Sequence, residues 1–275
     1  MLPGMAAITP LEIVKRTPKT NCGECGFATC LAFGAAVATQ GVDVGRCPYL
    51  DRQGLTLDTP AQGAAADRDW ALVERLQRKV ADLDFAALAP KLGLALLGDQ
   101  ALQGRYLGQD AIIGVKEVRL NGRAPEDPRD CILLYNYLAF GGGAPPSGAW
   151  IGMESMPNSI SKVKTLATYC EKPLARLFDI HDQPRIERVI ALLDGRPAAG
   201  EGADLACVLP VLPRLPVKLV FWRAEREQGA TVFDARVKIL FDDTATDFLD
   251  IESLVFCAER LAERVAELLG ARGQE

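Results

Sequence analysis

Four cysteines near the start of the chain constrain it more than any other feature. Cys22, Cys25, Cys30 and Cys47 follow the spacing C-x2-C-x4-C-x16-C, and Pro48 comes directly after the last. Thiolates at this density repel one another, and coordinating them all to a metal centre removes the repulsion. Cys22 and Cys25 can grip one centre from a single tight turn. Cys30 comes round on the next turn, and Cys47 closes the loop from a distance. Gly23 and Gly26 suit such a loop, because a backbone without side chains can pass close to the centre and donate N–H groups to sulfur.

All-sulfur ligation suits an iron–sulfur cluster or tetrahedral zinc. Structural zinc sites more often pair two short knuckles, whereas this chain has one knuckle, a third cysteine five residues on and a lone fourth cysteine before proline. Cys-Pro after the last ligand also ends some ferredoxin runs. On spacing alone iron–sulfur leads, with zinc and a disulfide pair still open.

The segment Pro18-Lys19-Thr20-Asn21-Cys22-Gly23-Glu24-Cys25-Gly26-Phe27-Ala28-Thr29-Cys30-Leu31-Ala32-Phe33, with Cys47-Pro48-Tyr49-Leu50, resembles the small 4Fe–4S domain of corrinoid iron–sulfur protein large subunits. Those subunits serve anaerobic acetyl-CoA synthesis, and the same domain occurs in electron-transfer subunits of membrane redox complexes. The resemblance implies one 4Fe–4S cluster held by Cys22, Cys25, Cys30 and Cys47. It covers about the first fifth of the chain and does not extend to the barrel and corrinoid-binding parts of those proteins. From about Asp69 the chain resembles a domain family of anaerobic bacteria and archaea whose function is unknown, often preceded by this cluster domain. The resembling words are Ile132-Leu133-Leu134-Tyr135-Asn136-Tyr137-Leu138, Pro173-Leu174-Ala175-Arg176-Leu177-Phe178, and the run from Pro213 through Trp222 to Leu249. That likeness implies a boundary and no activity.

Length and composition narrow the function classes. The 275 residues predict one or two domains, and 49% hydrophobic with 24% charged residues are globular proportions. A net charge of −5 argues against general nucleic-acid or anionic-membrane binding. No apolar run reaches the length of a membrane span, and the first residues lack a secretory signal's charged head and apolar core. Clustered thiols without an export signal predict a cytoplasmic location. The one histidine, His181, rules out multi-histidine metal sites within the chain.

The pattern predicts a helical cluster domain over residues 1–50, a small-residue and glycine-bearing linker over 51–68, and an α+β domain over 69–275. Thr9-Pro10-Leu11-Glu12 reads as a capping box opening a short helix, and a second helix runs from Cys30 to about Ala38. So small a domain has little core, and the metal contributes much of its folding free energy. In the body, helices are expected over 69–82, 85–91, 128–140, 159–170, 184–193 and 251–269. Strands are expected over 102–107, 111–113, 115–120, 150–153, 205–209, 217–222 and 237–241. The result is an antiparallel or mixed sheet packed against several helices.

Other candidates read more plainly as structure. Cys131, Cys170, Cys207 and Cys257 stand singly in apolar words and read as core thiols. Asp179-Ile180-His181-Asp182-Gln183-Pro184 matches only the first half of the cobalamin signature Asp-x-His-x-x-Gly, with proline in the glycine's place. The glycine-rich run from Gly141 to Gly148 lacks both phosphate-loop patterns and reads as a loop, with a lid over a pocket as its functional alternative. Glu225, Glu227, Asp242, Asp243 and Asp247 read as an acidic patch at the ends of two adjacent strands, able to do acid–base work or bind a hard cation. Trp150 and Trp222 read as core or pocket walls. The expectation is an electron-transfer or redox accessory protein of anaerobic, corrinoid-linked one-carbon metabolism. It has a redox partner protein, and a corrinoid protein or methyltransferase is a further candidate partner. The alternatives are a structural cluster on an assembly module, or an enzyme whose pocket is lined by those acids. No catalytic residue is assigned.

Overall fold

The computed structural model describes residues 9–40, 42–52, 60–200, 202–227 and 230–270. The protein is α+β. It divides into two compact units between Leu72 and Val73.

In the first unit, α1 (Pro10–Lys15) opens with the capping box that its sequence predicts. The Thr9 hydroxyl accepts from the Glu12 N–H, and the Glu12 carboxylate accepts from the Thr9 N–H at 2.7 Å. Helix α2 (Cys30–Gln40) crosses α1 closely. A Cβ at Gly34 would lie 2.6 Å from the Pro10 carbonyl oxygen, so only glycine permits the crossing. Ile13, Phe33, Val37, Cys47 and Leu50 form the small core between them. Phe27 packs on Phe33, ring centroids 5.7 Å apart.

Helix α3 spans Pro60–Val80. The expected linker is therefore helical from Pro60 on, and its residues 53–59 lie outside the described residues. Small residues suggest a flexible tether, but Ala61 and Ala64–Ala66 are also the best helix formers, and Pro60 occupies a first-turn position that tolerates it.

The second unit continues with α4 (Phe85–Leu92) and a four-stranded antiparallel sheet in chain order. Its strands are β1 (Ala95–Leu96), β2 (Ala101–Tyr106), β3 (Gln109–Gly114) and β4 (Val118–Leu120). The β2–β3 turn sits at Leu107-Gly108, one residue earlier than the sequence reading places it. Helix α5 (Pro128–Phe140) follows, capped by Asp127 and ended by Gly141 in the left-handed conformation. After β5 (Trp150–Gly152) come α6 (Ile160–Leu166) and α7 (Lys172–Ile180), joined through one wide turn at Ala167–Glu171. The sequence reading ends a helix at Cys170, whereas the chain continues helical to Ile180. The wide turn lets Pro173 sit in the continuing helix, since residues there need not donate to the regular ladder.

Helix α8 (Gln183–Leu192) leads into β6 (Arg196–Pro197), β7 (Leu205–Leu212) and β8 (Leu215–Trp222). A two-stranded ribbon, β9 (Glu225–Glu227) with β10 (Ala230–Phe233), precedes β11 (Arg236–Asp242) and the long helix α9 (Ile251–Gly270). The second sheet has the order β5-β11-β8-β7-β6 and is antiparallel throughout. One face of that sheet is apolar. Val217, Leu219, Phe221, Val237, Ile239 and Phe241 are buried there, and Phe178 of α7 meets Phe221 edge-on at 5.4 Å. The backbone N–H of Ile239, beyond the end of β5, is taken at 3.0 Å by the Glu171 carboxylate from the wide turn.

Candidate metal centre

The four cysteines of the motif are graded in exposure. Cys22 is exposed, Cys25 half-buried, and Cys30 and Cys47 are buried. Cys30 is the first residue of α2, where unpaired N–H groups and the helix dipole favour a negative sulfur. The chain adds donors to that advantage. The Cys30 thiol is held below the usual thiol range, chiefly by the Thr17 hydroxyl and then by the backbone N–H groups of Asn21, Lys19 and Thr20. In that segment Lys19 (φ 56°) and Asn21 (φ 51°) both adopt the left-handed conformation.

Thr17 is buried, and its hydroxyl also lies 2.8 Å from the Val14 carbonyl oxygen. It has one proton for two acceptors, and an ionised sulfur competes better than a neutral carbonyl. The Asn21 side chain closes the loop by accepting from the Cys30 N–H at 2.8 Å. The knuckle turns through Gly23 (φ 76°) and Gly26 (φ 85°), with Gly26 N–H donating to the Gly23 carbonyl at 2.9 Å. Tyr49 donates to Glu24 at 3.2 Å. That bond, with the thiols of Cys22 and Cys47 close by, raises the tyrosine pKa. Residues from both ends of the loop therefore meet beside Cys22.

No three histidine, cysteine or acidic side chains among the described residues are placed to hold a single ion. The donor chemistry fits a cluster: four cysteine sulfurs on one glycine-bearing loop, two of them buried and Cys22 open to solvent. The remaining cysteines contrast with this. Burial pushes the thiols of Cys131, Cys207 and Cys257 up to about 12 and raises that of Cys170 as well, so all four stay protonated in the core. The sequence reading missed Thr17 and the left-handed residues Lys19 and Asn21. Asparagine hints at a left-handed position, but nothing marks lysine for one.

The five acids do not form one patch. Because β8 and β11 run antiparallel, Glu225 and Glu227 beyond Trp222 lie at the opposite end of the sheet from Asp242 and Asp243. Asp242 is buried and accepts from the N–H groups of Ser147 (3.0 Å), Gly148 (2.7 Å) and Thr244 (3.1 Å) and from the Thr244 hydroxyl (2.7 Å). Asp247 accepts from the Ala144 N–H at 3.3 Å. These carboxylates pin the glycine-rich loop. Asp179 accepts from the Ala224 N–H and from Arg226, and His181 Nδ1 donates to the Leu177 carbonyl at 2.8 Å, closing α7. Trp150 and Trp222 are half-buried walls of the sheet's other face and not core.

The fold divides into a small cysteine-bearing unit and a larger α+β unit. Residues 18–49 match the family model described as "Putative Fe-S cluster". The chain belongs to the family "Domain of unknown function (DUF3786)", whose model matches residues 84–264. Among curated proteins, the chain is 51% identical over 43 residues to the corrinoid/iron-sulfur protein large subunit of Moorella thermoacetica, covering 16% of this chain and 10% of that one. It is 34% identical over 90 residues to the acetyl-CoA decarbonylase/synthase complex subunit gamma of Methanosarcina acetivorans, covering 33% and 15%. With the same subunit of Archaeoglobus fulgidus the figures are 30% over 115 residues, covering 42% and 19%. The chain thus spans less than a fifth of the length of these relatives. No solved structure matches it. No helix among the described residues is long and apolar enough to cross a membrane.

Proposed function

We propose that Cys22, Cys25, Cys30 and Cys47 hold one 4Fe–4S cluster, and that the protein is an electron carrier or redox accessory in anaerobic one-carbon metabolism. The cluster supplies reversible one-electron transfer within the broad range of roughly −700 to +450 mV. The observation that carries the reading is Cys30: a buried sulfur at a helix start, held below the usual thiol range by the Thr17 hydroxyl and the amide donors of Asn21, Lys19 and Thr20. Such donors stabilise negative charge on sulfur and so favour the reduced state. Exposed Cys22 leaves one edge open to a partner, as electron transfer requires. The similarity to corrinoid and acetyl-CoA decarbonylase/synthase subunits supports a corrinoid protein or methyltransferase as that partner.

Anaerobic purification followed by iron, acid-labile sulfide and electron paramagnetic resonance measurements tests the reading. Four irons and four sulfides per chain with a reversible reduced signal are expected, both falling in Cys22→Ala. One zinc without sulfide overturns the cluster. A cluster that collapses on reduction leaves it a structural role and overturns the electron carrier.

A further inference from the structure

The five-stranded sheet has a second face that no part of the proposed redox role uses. Strand register fixes which side chains share it. Lys218 stands opposite Leu240 on one side and Val208 on the other, Val208 stands opposite Arg196, and Arg236 stands opposite Trp222. Lys238 follows Arg236 at the strand period of two, and Trp150 joins through its pairing with Asp242. Four cations and two indoles therefore lie on one side of four strands, opposite the apolar face against α7.

We propose that this face docks an acidic segment of a partner protein. Its charge runs against the rest of the molecule, because the whole chain carries a net −5. Arg196 and Arg236 are exposed, and the Lys238 side chain is 32% exposed. Among the described residues Arg196, Lys218 and Arg236 have no ion-pair partner, and Lys238 shares only the exposed Glu154 at 3.0 Å and Glu171 at 3.7 Å. Asp242 lies on the same face, but its oxygens are spent on Ser147, Gly148 and Thr244. The cations are also positioned. The Arg236 guanidinium stacks 4.3 Å from the Trp222 ring centroid, and Lys218 Nζ lies 6.0 Å from that of Trp150. Stacking holds the guanidinium plane while leaving its edge donors for a carboxylate.

Strands lie about 4.8 Å apart, which puts Lys218 and Arg196, two strands apart, at about 10 Å in the backbone. That spacing suits several carboxylates of one segment. Nucleic acid fits less well. The chain's net charge repels a polyanion at long range, and the indole faces that would stack on bases are already taken by cations.

The test uses the full-length chain and a fluorescent ten-residue oligoglutamate peptide at low salt, read by anisotropy. Binding is expected to weaken about tenfold or more in Arg196→Glu/Lys218→Glu/Arg236→Glu, and also on raising salt from about 50 to 300 mM. Lys218→Gln/Arg236→Gln, which only neutralises charge, is expected to fall between the two and covers the case in which the reversed variant fails to fold. Zero-length carbodiimide coupling should join the peptide to Lys218 or Lys238. Equal affinity in the variants, coupling only at other lysines, no binding at low salt, or tighter binding of a ten-residue oligothymidylate would each overturn the proposal.

Discussion

At single residues, hydrogen-bond donors decide what each acid or thiol can do. If Thr17 gives its proton to Cys30 sulfur, removing the hydroxyl without changing shape should lower the potential of a bound cluster. A bond whose strength differs between redox states by about 0.5–1 kcal/mol corresponds to about 20–40 mV for one electron. Thr17→Val is therefore expected to titrate lower by that amount in a resonance-monitored reduction, and Thr17→Ser to stay at the wild-type value. Asp242 is the counterpart in the body. Burial raises its pKa, but the Thr244 hydroxyl and the amides of Ser147, Gly148 and Thr244 outweigh that and leave it lowered. Its stabilisation is present above the unfolded pKa of about 4 and is lost as pH falls through the lower folded value. Asp242→Asn places an NH2 group against an amide donor and should cost about 1–3 kcal/mol in urea unfolding at pH 7. The difference from wild type should shrink below about pH 4.

Among the elements, α5 and α9 are joined by a buried ionic network that their separate sequences do not announce. Arg260 of α9 contacts Asp130 of α5 at 2.8 and 3.0 Å, and the Tyr106 hydroxyl of β2 donates to the same carboxylate at 2.8 Å. Arg129 bridges Asp127 at 2.6 Å and Glu263 at 2.8 Å. Such a network adds less than its Coulomb energy suggests, because burial has already cost its members their water. Breaking it is another matter. Arg260→Ala leaves buried Asp130 with only the Tyr106 hydroxyl among the described residues and should destabilise the body by about 3–5 kcal/mol in urea. Arg129→Ala, at a more exposed site, should cost less. A reversed order of the two would show that the outer ion pairs, and not the Asp130 contact, hold α9 in place.

For the whole molecule, the two units should answer differently to loss of metal. Among the described residues the first unit's buried core cluster is five residues, and the second carries two sheets and most of the helices. If the proposed cluster is bound, chelating its iron is expected to abolish amide-exchange protection across residues 9–52 while leaving strands β7, β8 and β11 protected, as mass-spectrometric exchange would show. Loss of protection in those strands would mean that the body depends on the cluster for its own stability.

Much of this was legible because it is local. The Thr9–Glu12 capping box, the start of α2 at Cys30, the Asp127 and Asp250 caps and the alternation in β8 each depend on residues a few positions apart, and sequence shows those directly. The four-cysteine spacing belongs to the same class. What depends on distant partners was not legible. A run of small residues became the first turns of α3, and the helix expected to end at Cys170 runs on through a wide turn whose Glu171 serves the edge of β11. Five acids that look adjacent in sequence were sent to opposite ends of a sheet because their strands run antiparallel. Sequence by itself determined the four-cysteine spacing of the amino-terminal loop and the α+β class, since residue spacing and hydrophobic period are properties of the chain. Only the tertiary structure decided which of those sulfurs are buried and which cations share one face of a sheet. Both follow from register and packing between segments far apart in the chain.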